Sequence, residues 1–366
     1  MTSPKVCVRR LCYHWRSILL AVSCTILIVV LVHVSRYVLY STPVPVYVLD
    51  KLNLRQYTLP ELACQRCNNF SYDYIVENEK FCGDEEIFLL TFVTSFHTNV
   101  ASRNTMRKTW AATREYRGLK LKTVFVFGTH PDRNLNNQTQ YEQARYGDII
   151  QANFADHYRF LTNKTSLALR WVMKNCRQAK YVLKTDDDSF NILENFVDYL
   201  IHVKTERFVG GYCFTVMPDR RSGSKFHVSA DSYPDLYYPT YCAGPGYVLS
   251  RAAVRDIVAV TENTRFIPME DVFITGMCRI RAGIQYTEIP GMVVGQDQMT
   301  PCNLAIWVKN GHNIVPGRAE MIWKRLQSVD RTKDCASRTT YLYMILIGFV
   351  LIWSRFMYRM YSVPTR

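Results

Sequence analysis

Residues 181–190 read YVLKTDDDSF, in which a short apolar strand runs directly into three adjacent aspartates. On both sides of this stretch, β-rich apolar runs alternate with segments whose apolar residues repeat at helical spacing. Strands that alternate with helices of about 10–15 residues predict an α/β fold with a mainly parallel central sheet. Ligands bind beyond the carboxyl ends of the strands in such a sheet, so the aspartates lie where a ligand is expected.

The other elements are predicted from the same patterns. Strands are predicted at 86–95, 121–129, 181–190 and 207–213, and helices at 100–113, 137–147, 166–176, 192–203 and 270–280. Hydrophobic residues make up 48% of the chain and charged residues 21%, which predicts a substantial core and excludes a mainly disordered chain.

The three aspartates, Asp186, Asp187 and Asp188, repel one another unless a hard divalent cation binds between them. Alternate residues of an extended segment point the same way, so Asp186 and Asp188 are expected to face one ligand. A Mg²⁺ or Mn²⁺ ion held by few carboxylates keeps open positions for diphosphate oxygens. The alternative is an acidic loop that caps the helix beginning near Asn191.

A second acidic pair, Glu270 and Asp271, opens the predicted helix at 270–280. Acids in a first helical turn suit the helix dipole, which is the structural interpretation. The functional interpretation is a general base, a carboxylate that takes the proton from an attacking hydroxyl group. Spacing along the chain does not decide between the two.

Arg103 and Arg107 are neighbours on one face of the predicted helix at 100–113. They are candidates for binding phosphate groups, and the alternative is a solvated helix edge.

A tyrosine- and glycine-rich stretch lies at residues 238–247, YPTYCAGPGY. Gly244 and Gly246 would let the backbone approach a ligand closely, and Tyr241 would suit stacking on a sugar face. The alternative is a turn before a strand.

The positive charge is concentrated at the two ends of the chain. The net charge is +14, and residues 1–36 and 338–366 together contribute nine basic residues and no acid. Residues 17–35 carry no formal charge, and as a helix they nearly span a hydrocarbon core of about 30 Å. This pattern favours membrane topology over nucleic-acid binding. It predicts a cytoplasmic tail at 1–16 and an uncleaved signal anchor at 17–36, in preference to a cleaved signal peptide.

The rest of the chain is divided on composition. Residues 37–85 are predicted to form a lumenal stem and a cysteine-containing lead-in, and residues 86–337 the catalytic domain. The uncharged run 339–354 lies within a hydrophobic C-terminal segment, 338–366. This segment is open to two interpretations, a second transmembrane helix or an interfacial or core-packed helix.

Cysteines and sequons support a lumenal location. Nine cysteines follow the anchor, which predicts mostly disulfides with at least one cysteine left over. The CxxC pair Cys64 and Cys67 is interpreted as a structural disulfide. N-glycosylation sequons occur at Asn69, Asn137 and Asn163.

Several of these motifs, in this order, resemble glycosyltransferase family 31, the β1,3-galactosyl- and β1,3-N-acetylglucosaminyltransferases. The matching stretches are RNTMRKTW (103–110), VFVFGT (124–129), YGDIIQANFADHY (146–158), YVLKTDDDSF (181–190), YPTYCAGPGYVLS (238–250) and MEDVFITG (269–276), with a weaker match at GHNIVPGRAEMIW (311–323). The resemblance implies a GT-A-type nucleotide-sugar-binding fold on a type II Golgi membrane anchor. It implies an inverting reaction that uses Mn²⁺ or Mg²⁺, a UDP-sugar donor and a glycan acceptor on lipid or protein. UDP-galactose is the favoured donor, and UDP-N-acetylglucosamine and UDP-N-acetylgalactosamine are the alternatives. A homo-oligomer and a hetero-oligomer are both open as assemblies.

The resemblance also implies roles for individual residues. It implies that Asp188 is the main metal ligand, with Asp186 and Asp187 beside it and His312 as a further ligand. It implies that Asp271 is the base and that its neighbour Glu270 contacts the acceptor or the sugar. Arg103, Arg107 and Lys184 would lie around the nucleotide site. The acceptor-side candidates are Tyr241, Gly244 and Gly246.

The sequence departs from the family pattern in three places, one of which is the second hydrophobic segment, 338–366, which is not a general feature of the family. The sequon usually found in an Asn-Leu-Thr stretch lies three residues later, at Asn163, and Pro245 interrupts the glycine-rich stretch. The rival hypotheses are a catalytically silent Golgi partner or chaperone of an active transferase, and another metal-dependent phosphotransfer enzyme such as a lumenal nucleotide hydrolase. The central acidic residues are present, which favours an active transferase.

Overall fold

The computed structural model describes residues 62–329 and residue 335. The predicted tail, the predicted anchor and the C-terminal segment at 338–366 lie outside the described residues, as do residues 37–61 of the predicted stem. Within the described part, no helix is both long and apolar enough to cross a membrane.

The described chain alternates strands with helices. The strands are β1 (Tyr74–Val76), β2 (Ile87–Thr94), β3 (Glu115–Tyr116), β4 (Leu119–Thr129), β5 (Ile149–Ala155), β6 (Ala179–Asp186), β7 (Phe190–Asn191), β8 (Val209–Phe214), β9 (Tyr241–Ser250), β10 (Tyr286–Glu288) and β11 (Asn310–Gly311). The α-helices are α1 (Val100–Lys108), α2 (Arg133–Tyr146), α3 (Leu161–Asn175), α4 (Leu193–Leu200), α5 (Arg251–Thr261), α6 (Arg279–Arg281), α7 (Pro301–Ile306) and α8 (Pro316–Gln327). Short 3₁₀ turns occupy Trp110–Ala112, Tyr158–Phe160 and Gln296–Gln298, and a π-helix occupies Val272–Cys278.

One sheet organises the described part of the chain. Its strand order is β1-β5-β4-β2-β6-β9-β8-β10, with β3 paired to β4 at the side. Strands β5, β4, β2 and β6 are parallel neighbours, whereas β9 runs antiparallel to both β6 and β8. The predicted α/β fold with a mainly parallel central sheet is therefore confirmed. All eight residues of β2 are buried, as expected for a parallel strand covered by helices on both faces.

Two hydrophobic clusters cover the two faces of the sheet. Leu90 and Phe92 of β2 join one cluster with α3, α5 and the π-helix, while Leu89 and Val93 join the other with α1, α4 and α8. Successive side chains of a strand point to opposite faces, which explains why neighbouring residues of β2 belong to different clusters. Because the strands are buried on both faces, the polar residues follow them at the carboxyl edge of the sheet.

The predicted elements exist, but several boundaries differ. The strand predicted at 181–190 ends at Asp186, because the chain turns there and the Ser189 amide donates to the Asp186 carbonyl at 3.1 Å. The helix predicted at 137–147 begins at Arg133, since the Asp132 carboxylate accepts from the Asn134 amide at 2.8 Å and caps it. The helix predicted at 270–280 is largely a π-helix.

Eight of the nine cysteines beyond the predicted anchor are paired in the structure. The disulfides are Cys64–Cys67, Cys82–Cys176, Cys213–Cys242 and Cys302–Cys335. Cys278 is left as a free, buried thiol. The structural interpretation of Cys64 and Cys67 and the prediction of an unpaired cysteine are both confirmed.

The three sequons differ in their surroundings. Asn69 is exposed in a loop, where its side-chain oxygen accepts from the Ser71 amide at 2.9 Å. Asn137 is exposed on α2. Asn163 lies half-buried on α3 and donates from its side-chain amide to the Tyr72 hydroxyl. Whether any of the three is glycosylated stays a prediction.

Candidate active site

A cavity of about 510 Å³ opens at the carboxyl edge of the sheet. It is lined by the residues that follow β2, β5 and β6, by the beginning of β9, and by segments beyond them. The lining residues are Thr94, Ser95, Phe96, Asp156, His157, Tyr158, Leu161, Lys164, Lys184, Asp186, Asp187, Asp188, Lys225, Phe226, Gly244, Pro245, Pro268, Met269, Glu270, Asp271 and His312. The position agrees with the expectation that ligands bind beyond the strand ends.

The three adjacent aspartates point to three different sets of partners. The Asp186 carboxylate accepts from the Thr94 hydroxyl at 2.6 Å. The Asp187 carboxylate accepts from the Ser95 hydroxyl at 2.7 Å and from the Phe96 amide at 3.0 Å. Asp188 lies beside His312, with 3.3 Å between Oδ2 and Nε2. Asp186 and Asp188 thus differ in their protein contacts although both line the cavity, and whether they face one ligand stays a prediction.

Asp188 and His312 are the pair whose chemistry fits a divalent cation. Asp188 Oδ1 is buried and has no hydrogen-bond partner, although polar atoms of a folded protein normally find one. Burial raises the pKa of the Asp188 carboxyl, but the hydrogen bond and charge of His312, together with a backbone hydrogen bond and the charge of Lys184, leave the pKa below its usual value. Among residues 62–329 and 335, no three His, Cys, Asp or Glu side chains group closely enough to hold a metal on their own. A carboxylate and an imidazole at a cavity wall fit an ion that takes its other ligands from a substrate.

Lys184 is a buried cation with a carboxylate on either side. Its ammonium group donates to Asp186 Oδ1 at 2.7 Å and to the Gly244 carbonyl at 2.7 Å, and lies 3.2 Å from Glu270 Oε2. Burial alone would lower the pKa of Lys184, but the charges of Asp186 and Glu270 raise it above its usual value. Because its ammonium group contacts Asp186 on one side and Glu270 on the other, Lys184 ties the end of β6 to the Glu270 segment.

Glu270 and Asp271 are adjacent but differ in their surroundings. Glu270 is buried, and its second oxygen accepts from the Tyr247 hydroxyl at 2.6 Å. Asp271 is half-buried at the cavity wall and accepts from the Gly244 amide at 3.1 Å and the Val272 amide at 2.9 Å. Burial, followed by the charge of Glu270, raises the pKa of the Asp271 carboxyl to about 7. Asp271 is thus a carboxylate that can gain and lose a proton near neutral pH.

Arg103 and Arg107 do not line the cavity. Arg103 is fully buried and pairs with Glu142 at 2.5 Å, while Arg107 pairs with Glu142 at 3.0 Å and with Asp148 at 2.9 Å. Arg103 also donates to the Phe96 carbonyl at 2.7 Å, so it supports from behind a loop that lines the cavity. The structure therefore places both arginines in ion pairs and not at a phosphate-binding surface, because Glu142 of α2 and Asp148, just before β5, face them.

The glycine-rich stretch contributes only part of what the sequence suggested. Gly244 lines the cavity, and a Cβ atom there would lie 3.4 Å from the Asp271 carboxylate. Tyr241 is buried against Phe214, with ring centroids 4.8 Å apart, so it does not present a face to a ligand. Gly246 is not among the lining residues and instead faces Asn310, where a Cβ atom would lie 3.0 Å from its side chain.

Sequence reasoning did not single out many of the residues that line the cavity, among them Asp156, Tyr158, Lys164, Lys225 and Phe226. Lys164 pairs with Asp156 at 2.6 Å and donates to the Ser95 carbonyl at 2.8 Å. Asp156 directly follows β5, so the signal that singled out Asp186 was present there as well. Lys225 and Phe226 lie in a long connection without regular structure, for which periodicity gives no signal.

Comparison with known proteins relates this chain to a family. A family model described as Galactosyltransferase matches residues 101–290. The chain is 30% identical over 277 residues to the mouse protein named beta-1,3-galactosyltransferase 1, covering 75% of this chain and 84% of that one. It is 34% identical over 259 residues to human beta-1,3-galactosyltransferase 5, covering 69% and 83% of the two chains. The solved structure of mouse xyloside xylosyltransferase 1 aligns with a TM-score of only 0.32 at 9% identity, over 62% of this chain and 97% of that one.

Proposed function

This chain belongs to the galactosyltransferase family, glycosyltransferase family 31, and from that membership we propose that it is an inverting β1,3-glycosyltransferase with a GT-A-type fold. It transfers a hexose, with galactose favoured, from a UDP-sugar to a glycan acceptor on a lipid or protein. The names of its relatives, which are β1,3-galactosyltransferases, support both the linkage and the sugar.

Asp271 is the observation that carries the proposal. An acceptor hydroxyl becomes a competent nucleophile when a carboxylate takes its proton during attack, and the best base has a pKa near the working pH. Asp271 faces the cavity and has its pKa raised to about 7. The acceptor oxygen forms a bond to the anomeric carbon, the bond from that carbon to the UDP oxygen breaks, and its electron pair leaves with UDP. Attack from the face opposite UDP converts an α-linked donor into a β-linked product.

Glu270, Lys184 and Tyr247 position this base. Tyr247 and Lys184 use both oxygens of Glu270, so Glu270 is proposed as a positioning residue and not as a contact to the sugar. Lys184 also holds the Gly244 carbonyl, and the Gly244 amide donates to Asp271. We assign Lys184 the same positioning role, since its donors have no capacity left for a phosphate group.

Asp188 and His312 would hold a divalent cation, Mn²⁺ or Mg²⁺. When bound, the cation supplies positive charge against the diphosphate that leaves. Asp187 anchors the loop after β2, and Asp186 neutralises Lys184. Arg103 supports that same loop from the protein interior.

We place the enzyme in the Golgi membrane, with a cytoplasmic tail at 1–16, a signal anchor at 17–36 and the catalytic domain at 86–337 in the lumen. Four disulfides in the described part of the chain support an oxidising compartment.

The test uses the full-length chain in detergent-solubilised membranes. UDP-sugars are screened with Mn²⁺ against galactoside, glucoside, mannoside and hexosaminide acceptors, and the release of UDP is measured. We expect one donor to give acceptor-dependent release that is lost on chelation, in Asp188→Ala and in Asp271→Asn. Release that does not depend on an acceptor, or that survives in Asp271→Asn, would contradict the proposal.

A further inference from the structure

Two exposed aromatic residues stand at the cavity wall, although they come from distant parts of the sequence. Tyr158 begins the 3₁₀ turn after β5, and Phe226 lies in the connection between β8 and β9, residues 215–240. Their rings meet edge to face, with centroids 6.1 Å apart. Tyr158 is 36% exposed and Phe226 43%, so the pair presents an apolar surface to solvent at a ligand cavity. Core packing does not explain this surface.

Lys225 completes a group that we call the rim cluster, Tyr158, Lys225 and Phe226. Its ammonium group lies 5.5 Å from the Tyr158 ring centroid and 4.8 Å from that of Phe226, both within the range of cation–π contacts. These contacts hold the cation beside the rings without neutralising its charge.

The charge of Lys225 is available in a way that the other cavity lysines do not share. Lys164 and Lys184 are buried, and each lies within 2.7 Å of a carboxylate. Lys225 is exposed and forms no ion pair with any residue between 62 and 329. The described cavity therefore has one lysine whose positive charge no carboxylate compensates, and it lies against an aromatic surface.

The rim cluster and the proposed base, Asp271, line the same cavity. Burial and then the charge of Asp271 raise the pKa of the Tyr158 hydroxyl, as expected for two groups on the wall of one cavity. An acceptor whose hydroxyl is at Asp271 would extend past these rings.

We infer that the rim cluster is an acceptor subsite, in which Tyr158 and Phe226 pack against a sugar of the acceptor glycan and Lys225 binds an anionic group on it. Amphipathic sugar faces suit aromatic rings, and an ammonium group binds carboxylate, sulfate or phosphate through charge-assisted hydrogen bonds. The inference rests on the proposed function and adds to it a substrate class, acidic acceptor glycans. The diphosphate of the donor offers the same chemistry, and the experiment separates these two sources.

The test measures binding and turnover separately, on the full-length protein. Pairs of immobilised glycans that differ only in one sulfate or carboxylate are probed with the wild type, Lys225→Ala and Lys225→Glu. Lys204→Ala, which removes an exposed lysine outside the cavity, serves as the matched control. Steady-state kinetics with the same glycans then give separate KM values for the acceptor and for the UDP-sugar.

We expect wild type and Lys204→Ala to bind the acidic glycan of a pair more tightly than the neutral one. In Lys225→Ala the ratio of these two affinities should fall about tenfold. Lys225→Glu should reverse the preference, and Phe226→Ala should weaken both members of a pair. Equal binding of acidic and neutral glycans by the wild type would overturn the inference. So would a Lys225→Ala protein whose KM rises for the UDP-sugar alone, because the lysine would then serve the donor diphosphate. Glycan binding without any turnover would instead count against the proposed function and leave the subsite standing.

Discussion

The two acidic runs of this chain, Asp186–Asp188 and Glu270–Asp271, divide their carboxylates in the same way. In the first run, Asp186 and Asp187 are held by Lys184 and by the loop after β2, while Asp188 keeps an oxygen without a partner. In the second run, Glu270 is held by Lys184 and Tyr247, while Asp271 faces the cavity. Each run thus contains carboxylates that stabilise the site and one that is left for chemistry. Neighbouring acids in a sequence need not form one ligand set.

The largest expected effect comes from removing the reactive member of the second run. Asp271→Asn keeps the shape of the side chain but cannot accept a proton, and we expect kcat to fall by about 10²–10⁴-fold. The measurement is UDP release at saturating donor and acceptor. Asp84→Asn, at an exposed acid outside the cavity, is the control and should retain full rate. An Asp271→Asn enzyme within tenfold of the wild type would place the base elsewhere.

Lys184, which contacts both acidic runs, should contribute more to the stability of the fold than to any single step of the reaction. Lys184→Met leaves the buried Glu270 carboxylate without its cation, and breaking a buried pair in this way costs about 3–5 kcal/mol of unfolding free energy. Lys120→Met is the matched control, because Lys120 pairs with Glu115 at 2.7 Å on the surface, where the loss of an ion pair should lower stability far less. Chemical denaturation of both variants measures the difference. Equal losses would mean that the buried cluster does not stabilise the site.

The first run can be split by its response to metal. Asp188→Ala should weaken Mn²⁺ binding by at least about 10–100-fold, because loss of a residue that only orients a metal ligand already has an effect of that size. Asp187→Ala leaves the Ser95 hydroxyl and the Phe96 amide without their acceptor, so it should lower stability by about 1–3 kcal/mol. Electron paramagnetic resonance of free Mn²⁺ and thermal unfolding separate the two effects. A larger loss of Mn²⁺ affinity in Asp187→Ala would reverse the assignment within the run.

The raised pKa of Asp271 gives the second run a dependence on pH. The base must be ionised, so kcat/KM should fall about tenfold per pH unit below a pKa near 7. Stability changes in the opposite direction, because a carboxyl whose pKa is raised on folding favours the folded state when protonated. That contribution is complete below the unfolded pKa of Asp and is lost as the pH rises through about 7. Asp271→Asn should therefore lack this loss between pH 5 and 8, as unfolding curves across that range would reveal. An identical pH dependence in the variant and the wild type would argue against a raised pKa.

The smallest effects concern the surface sequons. Asn69 is exposed, whereas Asn163 is half-buried and its side-chain amide, the atom that would carry the glycan, donates to the Tyr72 hydroxyl. We expect Asn69→Gln to remove one glycan from the secretory-pathway protein and Asn163→Gln to remove none. Gel mobility before and after enzymatic deglycosylation measures this. A glycan on Asn163 of the folded protein would contradict the placement of that side chain.

The amino-acid sequence by itself determined the fold class and the edge at which the site lies. Buried strands such as β2 read as continuous apolar runs, and acids such as Asp186 directly after them mark the polar edge. These are local signals, because periodicity and strand ends depend on residues within a few positions of one another. The ordered motifs likewise identified the family that the comparison found.

The tertiary structure alone decided which acid of each run is left for chemistry and which groups surround the buried lysine and arginine side chains. Lys184 meets Glu270, and Arg103 meets Glu142, across separations of 86 and 39 residues that no local pattern encodes. The rim cluster also depends on a contact between distant segments, since Tyr158 meets Lys225 and Phe226. The physical reason is that charge pairing and burial act through space. A side chain's role is therefore set by the neighbours that the fold brings to it.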